Sequence, residues 1–183
     1  MEQSPDHAGE VARLAAGDAA AWEALYGRVY PAMLAYADRR LGAVEDARDA
    51  VSESWSRALA GVERMSALVP VPEAWLFGIL RHVVIDQQRR NYRTRDLPVP
   101  RLIEEPGALD GIVLDEEQAD VRKAFARLSE RDQELLELRV VADLGSEEVA
   151  SVLGMQPGAV RMAQARALDR LRGHLATLEG AAT

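Results

Sequence analysis

Apolar residues recur at three- and four-residue spacing in segment after segment of this chain, and nowhere do they sustain an alternation with polar ones. The first period buries one stripe of an α-helix, whereas alternation would build a half-buried strand. The chain is therefore predicted to be all-α. With no cysteine it cannot be stapled by disulfides or hold a metal through thiolates. The three histidines, His7, His82 and His174, are too scattered to suggest a histidine metal centre. No apolar run approaches the roughly 18 residues that a membrane span needs. Met1–Glu10 is polar and acidic, unlike a signal peptide, so a cytoplasmic protein without membrane insertion is expected.

The periodic segments fall into two groups. In the first, Asp18 is the expected N-cap of a helix carrying Trp22, Leu25, Tyr26 and Val29. Pro31 should kink or restart it, Met33, Leu34, Tyr36, Ala37 and Leu41 continue its apolar face, and Gly42 should close it. A second helix is predicted over 44–59, with Val44, Ala47, Val51, Trp55 and Ala58 on one stripe. A loop over 61–72 follows, then a helix over 73–93 with Trp75, Leu76, Ile79, Leu80 and Val83 facing inward. Residues 95–114 carry three prolines and two glycines without a sustained period and read as a flexible linker, able to reach about 65 Å.

Beyond it, a helix is expected over 115–126. Ser129 should cap another over 130–141, with Leu135, Leu136, Leu138 and Val141 as its apolar set. Ser146 should cap a short helix with Val149, Ala150, Val152 and Leu153. Gly154-Met155-Gln156 make a turn, and Pro157 suits the first position of a last helix carrying Val160, Ala163, Ala167, Leu168 and Leu171. The expected organisation is two small helical domains, 1–94 and 115–183, joined by the flexible linker 95–114.

The net charge of −8 does not suggest nucleic acid, but the charge is segregated. Residues 81–95 hold five arginines and one acid, residues 157–174 four arginines and one acid, and residues 102–120 seven acids and no base. Two basic stretches around an acidic one point to a polyanion; a solvated helix face explains any single stretch equally well. The segment 146–172 adds a pattern: capped short helix, glycine-containing turn, proline, longer basic helix. That is a helix-turn-helix, whose second helix places its first turns in the DNA major groove. Arg161, Met162, Gln164 and Ala165 lie at that start, where Arg can read guanine and Gln adenine. Arg166, Arg170 and Arg172 suit phosphates. On 44–59, Glu45, Asp49 and Glu53 recur every four residues beside Asp46, with Arg57 and Arg48 placed to relieve the repulsion. This is a face for a basic partner or a solvated surface; without histidines it does not resemble a carboxylate metal cluster. Arg81, Gln88, Arg89, Tyr92 and Arg93 give 73–93 a basic, partly aromatic surface suited to DNA backbone and unstacked bases.

Three segments in order, VEDARDAVSESWSRAL, EAWLFGILRHVVIDQQRR and LSERDQELLELRVVADLGSEEVASVLGMQPGAVRMAQARALDRLR, resemble bacterial sigma factors of the extracytoplasmic-function (ECF) type. The resemblance implies a promoter-specificity subunit rather than an enzyme, with no catalytic set, cofactor, metal or small-molecule substrate. Its region 2, residues 1–94, would bind core RNA polymerase and recognise and melt the −10 element. Its region 4, residues 115–183, would read the −35 element. Glu45, Asp46, Asp49, Val51, Glu53 and Trp55 would belong to the helix that meets a coiled coil in the largest polymerase subunit. The loop 61–71 would help to capture a flipped base, and Arg81, His82, Asp86, Arg89 and Arg90 would lie along −10 DNA. Pro157, Gly158, Arg161, Met162, Gln164, Ala165, Arg166 and Arg170 would form the −35 contact. The implied partners are core polymerase (that coiled coil and the flap), promoter DNA and an anti-sigma factor. A stand-alone helix-turn-helix regulator accounts for the second half but not for the acidic face or the basic, aromatic helix of the first. A helical hydrolase using paired carboxylates lacks a convergent acid/base set.

Overall fold

The structure, a computed structural model, describes residues 7–64, 71–94 and 116–181, and the expected linker 95–114 lies outside them. Contacts divide the chain into two compact units, Met1–Gly107 and Ala108–Thr183. All regular structure among the described residues is helical.

In the first unit, α1 (His7–Ala15), α2 (Ala19–Leu41), α3 (Val44–Gly61) and α4 (Pro72–Thr94) surround one core. Helices α2, α3 and α4 pack on one another in all three pairings, and α1 lies against α2. Leu14, Leu25, Met33, Val51, Leu76, Phe77, Leu80, Val83 and Val84 are fully enclosed or nearly so. Phe77 meets Tyr36 edge to face at 5.9 Å. The helix α1 has no counterpart in the sequence expectation. Its two buried side chains, Val11 and Leu14, are too few for a period to stand out. Asp18 caps α2 by accepting from the amides of Ala20 and Ala21, and Gly42 ends it in the left-handed conformation (φ 71°).

Of the two expectations at Pro31, the restart is corrected: α2 continues through the proline as one helix. The proline removes the hydrogen bond to the Gly27 carbonyl, but both residues are exposed, so water can satisfy that carbonyl. Arg28 ties three helices together, its guanidinium donating to Glu10 of α1 at 2.7 Å and to Glu73 of α4 at 2.7 and 2.9 Å. Burial pulls the Arg28 pKa down, but hydrogen bonds to the two carboxylates outweigh it and hold the guanidinium above its ordinary value.

The second unit comprises α5 (Glu116–Ala126), α6 (Glu130–Leu136), α7 (Ser146–Leu153) and α8 (Pro157–Ala181). Helix α8 packs against each of the other three. Ser129 caps α6, accepting from the Asp132 amide. The Gln133 amide donates to the carbonyls of Phe125, Ala126 and Leu128 and so closes the end of α5. Two expectations are corrected. The helix over 130–141 is α-helical only to Leu136; a π-turn occupies Glu137–Val141, closed by the Ala142 amide on the Glu137 carbonyl at 2.9 Å. That wider turn shifts the phase of the stripe, and Val141, expected inside, is 51% exposed, like its neighbour Val140. Ser146 is the first residue of α7 rather than its cap; Gly145 holds the cap position, without a side-chain hydrogen bond. Gly154 (φ 64°) turns the chain into α8, which begins at Pro157 as expected.

Candidate nucleic-acid interface

Helix α3 sorts its six expected contact residues by depth. Glu45, Asp49 and Glu53 are exposed and form the acidic stripe. Arg57 donates to Glu53 at 2.8 Å, as the spacing suggested, whereas Arg48 makes no pair with Glu45 among the described residues. Asp46 is half-buried in the seam with α4, where the Asn91 amide approaches it at 3.5 Å. Val51 is core. Trp55 is half-buried among aromatics, 5.1 Å from Tyr26 and 6.1 Å from Trp22, and Tyr26 in turn stacks on Tyr30 at 4.8 Å. The outer face of α3 thus has an acidic flank and an apolar flank, the latter including the exposed Leu59. The composition of α3 alone could not show this, because three of the aromatics come from α2.

On α4, His82, Asp86, Arg89 and Arg90 are exposed and Arg81 is half-buried. The His82 Nδ1 lies 2.7 Å from the Gly78 carbonyl, so Nδ1 donates to it and Nε2 is the ring nitrogen outside that bond. Asp86 sits 4.0 Å from Arg89, an exposed pair of little strength. Gln88 is turned inward instead, donating to the Arg40 carbonyl at 2.9 Å. That bond brings the end of α2 beside α4. Arg39 and Arg40 thereby extend the basic surface, with the Arg40 guanidinium 3.6 Å above the Tyr36 ring. Their only signal in the sequence was basic charge in the last turn of a helix. Of the loop 61–71, Gly61 ends α3, Val62–Arg64 form a 3-10 turn, and Val71 is buried with its carbonyl accepting from Trp75. Residues 65–70 and the side chains of Tyr92 and Arg93 lie outside the described residues.

At the start of α8, Gly158, Arg161, Met162, Ala165 and Arg166 are all exposed. At 100° per residue they span about 140° of one side of the helix. Arg161 and Arg166 make no ion pair among the described residues, and Met162 is 58% exposed. Pro157 is half-buried at the first position. Two expected contact residues are engaged within the unit. Gln164 is half-buried, and its side-chain oxygen accepts from the Arg139 Nε at 2.9 Å. Arg170 closes a two-bond fork on Asp132, at 2.8 and 3.0 Å, which joins α8 to the first turn of α6. Arg172 pairs with Asp169 at 2.8 Å on the exposed surface. Among the described residues no His, Asp and Glu cluster could hold a metal ion, and no helix is long and apolar enough to cross a membrane.

Known proteins resemble both units. Residues 25–94 match Sigma-70 region 2, and residues 118–171 match Sigma-70, region 4. The chain is 37% identical over 174 residues to the ECF RNA polymerase sigma factor ShbA of Streptomyces griseus, covering 88% of this chain and 91% of that protein. It is 32% identical over 176 residues to SigD of Mycobacterium tuberculosis, covering 90% and 82%. Among solved structures, the sigma factor RpoE of Bartonella quintana, in complex with the anti-sigma factor NepR, is similar with a TM-score of 0.64 and 25% identity, over 84% of this chain and 96% of that one. CnrH, in complex with the cytosolic domain of CnrY, is similar with a TM-score of 0.61 and 25% identity, over 98% and 100%. With both regions present in order and such relatives along most of its length, the chain belongs to the ECF sigma factors, specificity subunits of bacterial RNA polymerase.

Proposed function

We propose that this sigma factor docks on core RNA polymerase through the outer face of α3, with Glu45, Asp49 and Glu53 meeting basic side chains of the largest subunit's coiled coil. Asp46, Val51 and Trp55 serve that face from behind by fixing α3 on the bundle. Arg81, His82, Asp86, Arg89 and Arg90 on α4 lie along the −10 element, joined by Arg39 and Arg40. The start of α8 enters the major groove at the −35 element, where Arg161 and Arg166 supply charge and guanine-reading capacity. Met162 and Ala165 offer apolar contact to thymine methyls. The polymerase flap is the partner of the second unit. The protein acts by binding, in the cytoplasm, and carries out no chemistry of its own. An anti-sigma factor restrains it, as the complexes of its structural relatives suggest.

The observation that carries this reading is the presence of an exposed basic helix surface in each of two separate units, with an exposed acidic stripe on a third helix. A stand-alone regulator would leave the stripe and the region 2 match without a role. The test is run-off transcription with purified core polymerase and a promoter library. Transcripts starting downstream of a shared two-element motif are expected, and a library that yields no start dependent on the added chain refutes the reading.

A further inference from the structure

The side chain of Arg139 connects three parts of the second unit. It arises in the π-turn, donates through its fork to the Leu144 carbonyl in the loop before α7, and donates through Nε to Gln164 of α8 at 2.9 Å. Gln164 lies about 60° around α8 from Arg161, on the side away from Met162 and Arg166. It is therefore at the edge of the exposed face rather than in it. The residues that seat this end of α8 are small: Val160 and Ala167 are fully buried, and Ala163 is half-buried. Contacts of that kind are non-directional and offer few knobs to fix a helix's rotation. A hydrogen bond from a charged, planar group to an amide is directional. The Arg170–Asp132 fork provides a second directional tie six residues on, about 9 Å along the axis.

We propose that Arg139 is a positioning residue for −35 recognition. Held by the Leu144 carbonyl and holding Gln164, it sets the rotation of α8 at which Arg161, Met162, Ala165 and Arg166 face the groove together. In this role Gln164 is a handle for the protein, not a reader of the base. The inference rests on the reading that the start of α8 contacts the −35 element, and two distinct results separate the failures.

The experiment measures binding of the holoenzyme to a promoter selected by the wild type, and to the same promoter with a scrambled −35 element. The ratio of the two affinities is the readout, taken at a temperature where circular dichroism shows each variant folded. Wild type that does not distinguish the promoters sinks the underlying reading. If it does distinguish them, Arg139→Ala and Gln164→Leu are each expected to reduce the ratio by about ten- to a hundredfold. The double variant should lose no more than Arg139→Ala alone, because that variant already breaks the bond to Gln164. Gln164→Glu, which keeps an acceptor for Arg139, should retain the ratio. A folded Gln164→Leu with the wild-type ratio overturns the proposal, and so do losses that add in the double variant, since these would make Gln164 an independent DNA contact. Should Arg139→Ala not fold, Gln164→Leu against Gln164→Glu decides the matter alone.

Discussion

At the scale of single residues, the helix-turn-helix depends on which arginines are tied within the protein and which face outward. Asp132 shows the first kind. Its partial burial pushes its pKa up, but hydrogen bonds from Arg170 and Ser129 outweigh that and hold the carboxyl below its ordinary value of 3.8. A depressed carboxyl favours the folded state above the unfolded pKa and loses that contribution as pH falls through the folded one. Asp132→Asn should therefore lower the stability of the second unit by about 1 kcal/mol at neutral pH, a modest figure because Arg170 remains half exposed. The difference from wild type should shrink as pH drops below 3.8, and amide exchange along α6 measured across that range checks both points. Arg161 shows the second kind. Arg161→Ala should weaken binding of the holoenzyme to its selected −35 element by about 1–3 kcal/mol and relax preference at one base pair. Equal weakening on every sequence would make it a phosphate contact instead.

At the scale of elements, α2 and α3 carry opposite lessons. Pro31 in α2 removes a hydrogen bond in the middle of an exposed turn, and Pro31→Ala restores it. The gain should be about 2 kcal/mol, less than the full penalty of an interior proline because the unfolded chain also becomes freer. All three tryptophans lie in the first unit, so their fluorescence during urea unfolding reports this change without interference from the second. In α3, Glu45→Lys, Asp49→Lys and Glu53→Lys together should abolish pull-down by core polymerase while helicity is kept, since the three side chains point away from the bundle. Unchanged pull-down would remove the stripe from the interface. Periodicity made α2, α3, α4 and α8 legible because each buries a long stripe. It failed for α1, whose stripe is two residues, and in the π-turn, where a change of pitch carried Val141 outward. For the site, exposed charges such as Glu45, Arg89 and Arg161 could be read from local spacing. The engagement of Gln164 by Arg139 and of Arg170 by Asp132 could not, because those partners are brought together only by the tertiary fold.

At the scale of the whole molecule, a chain of net charge −8 has to bind a polyanion. The conflict is settled by distance. At physiological salt the Debye length is about 8 Å, so DNA at the start of α8 is affected mainly by the charges nearest to it, including Arg161 and Arg166. Acidic groups more than that length from the DNA are largely screened. At about 0.01 M salt the screening length grows to roughly 30 Å, and the same DNA then meets more of the acidic total. The free chain should consequently bind a selected −35 duplex no more tightly than about micromolar, in the range of non-specific contacts. Its affinity should fall with salt at a log–log slope of roughly −2 to −3, in keeping with the few outward arginines of α8. As salt is lowered the slope should flatten, because repulsion by the distant acidic groups grows as attraction by the local arginines strengthens. Fluorescence anisotropy on a labelled duplex from 0.01 to 0.3 M salt measures the curve. A straight, steep line through the lowest salt would mean that the acidic charge is not felt at the DNA. Nanomolar binding by the free chain would mean that polymerase is not needed to bring the two basic surfaces to their elements.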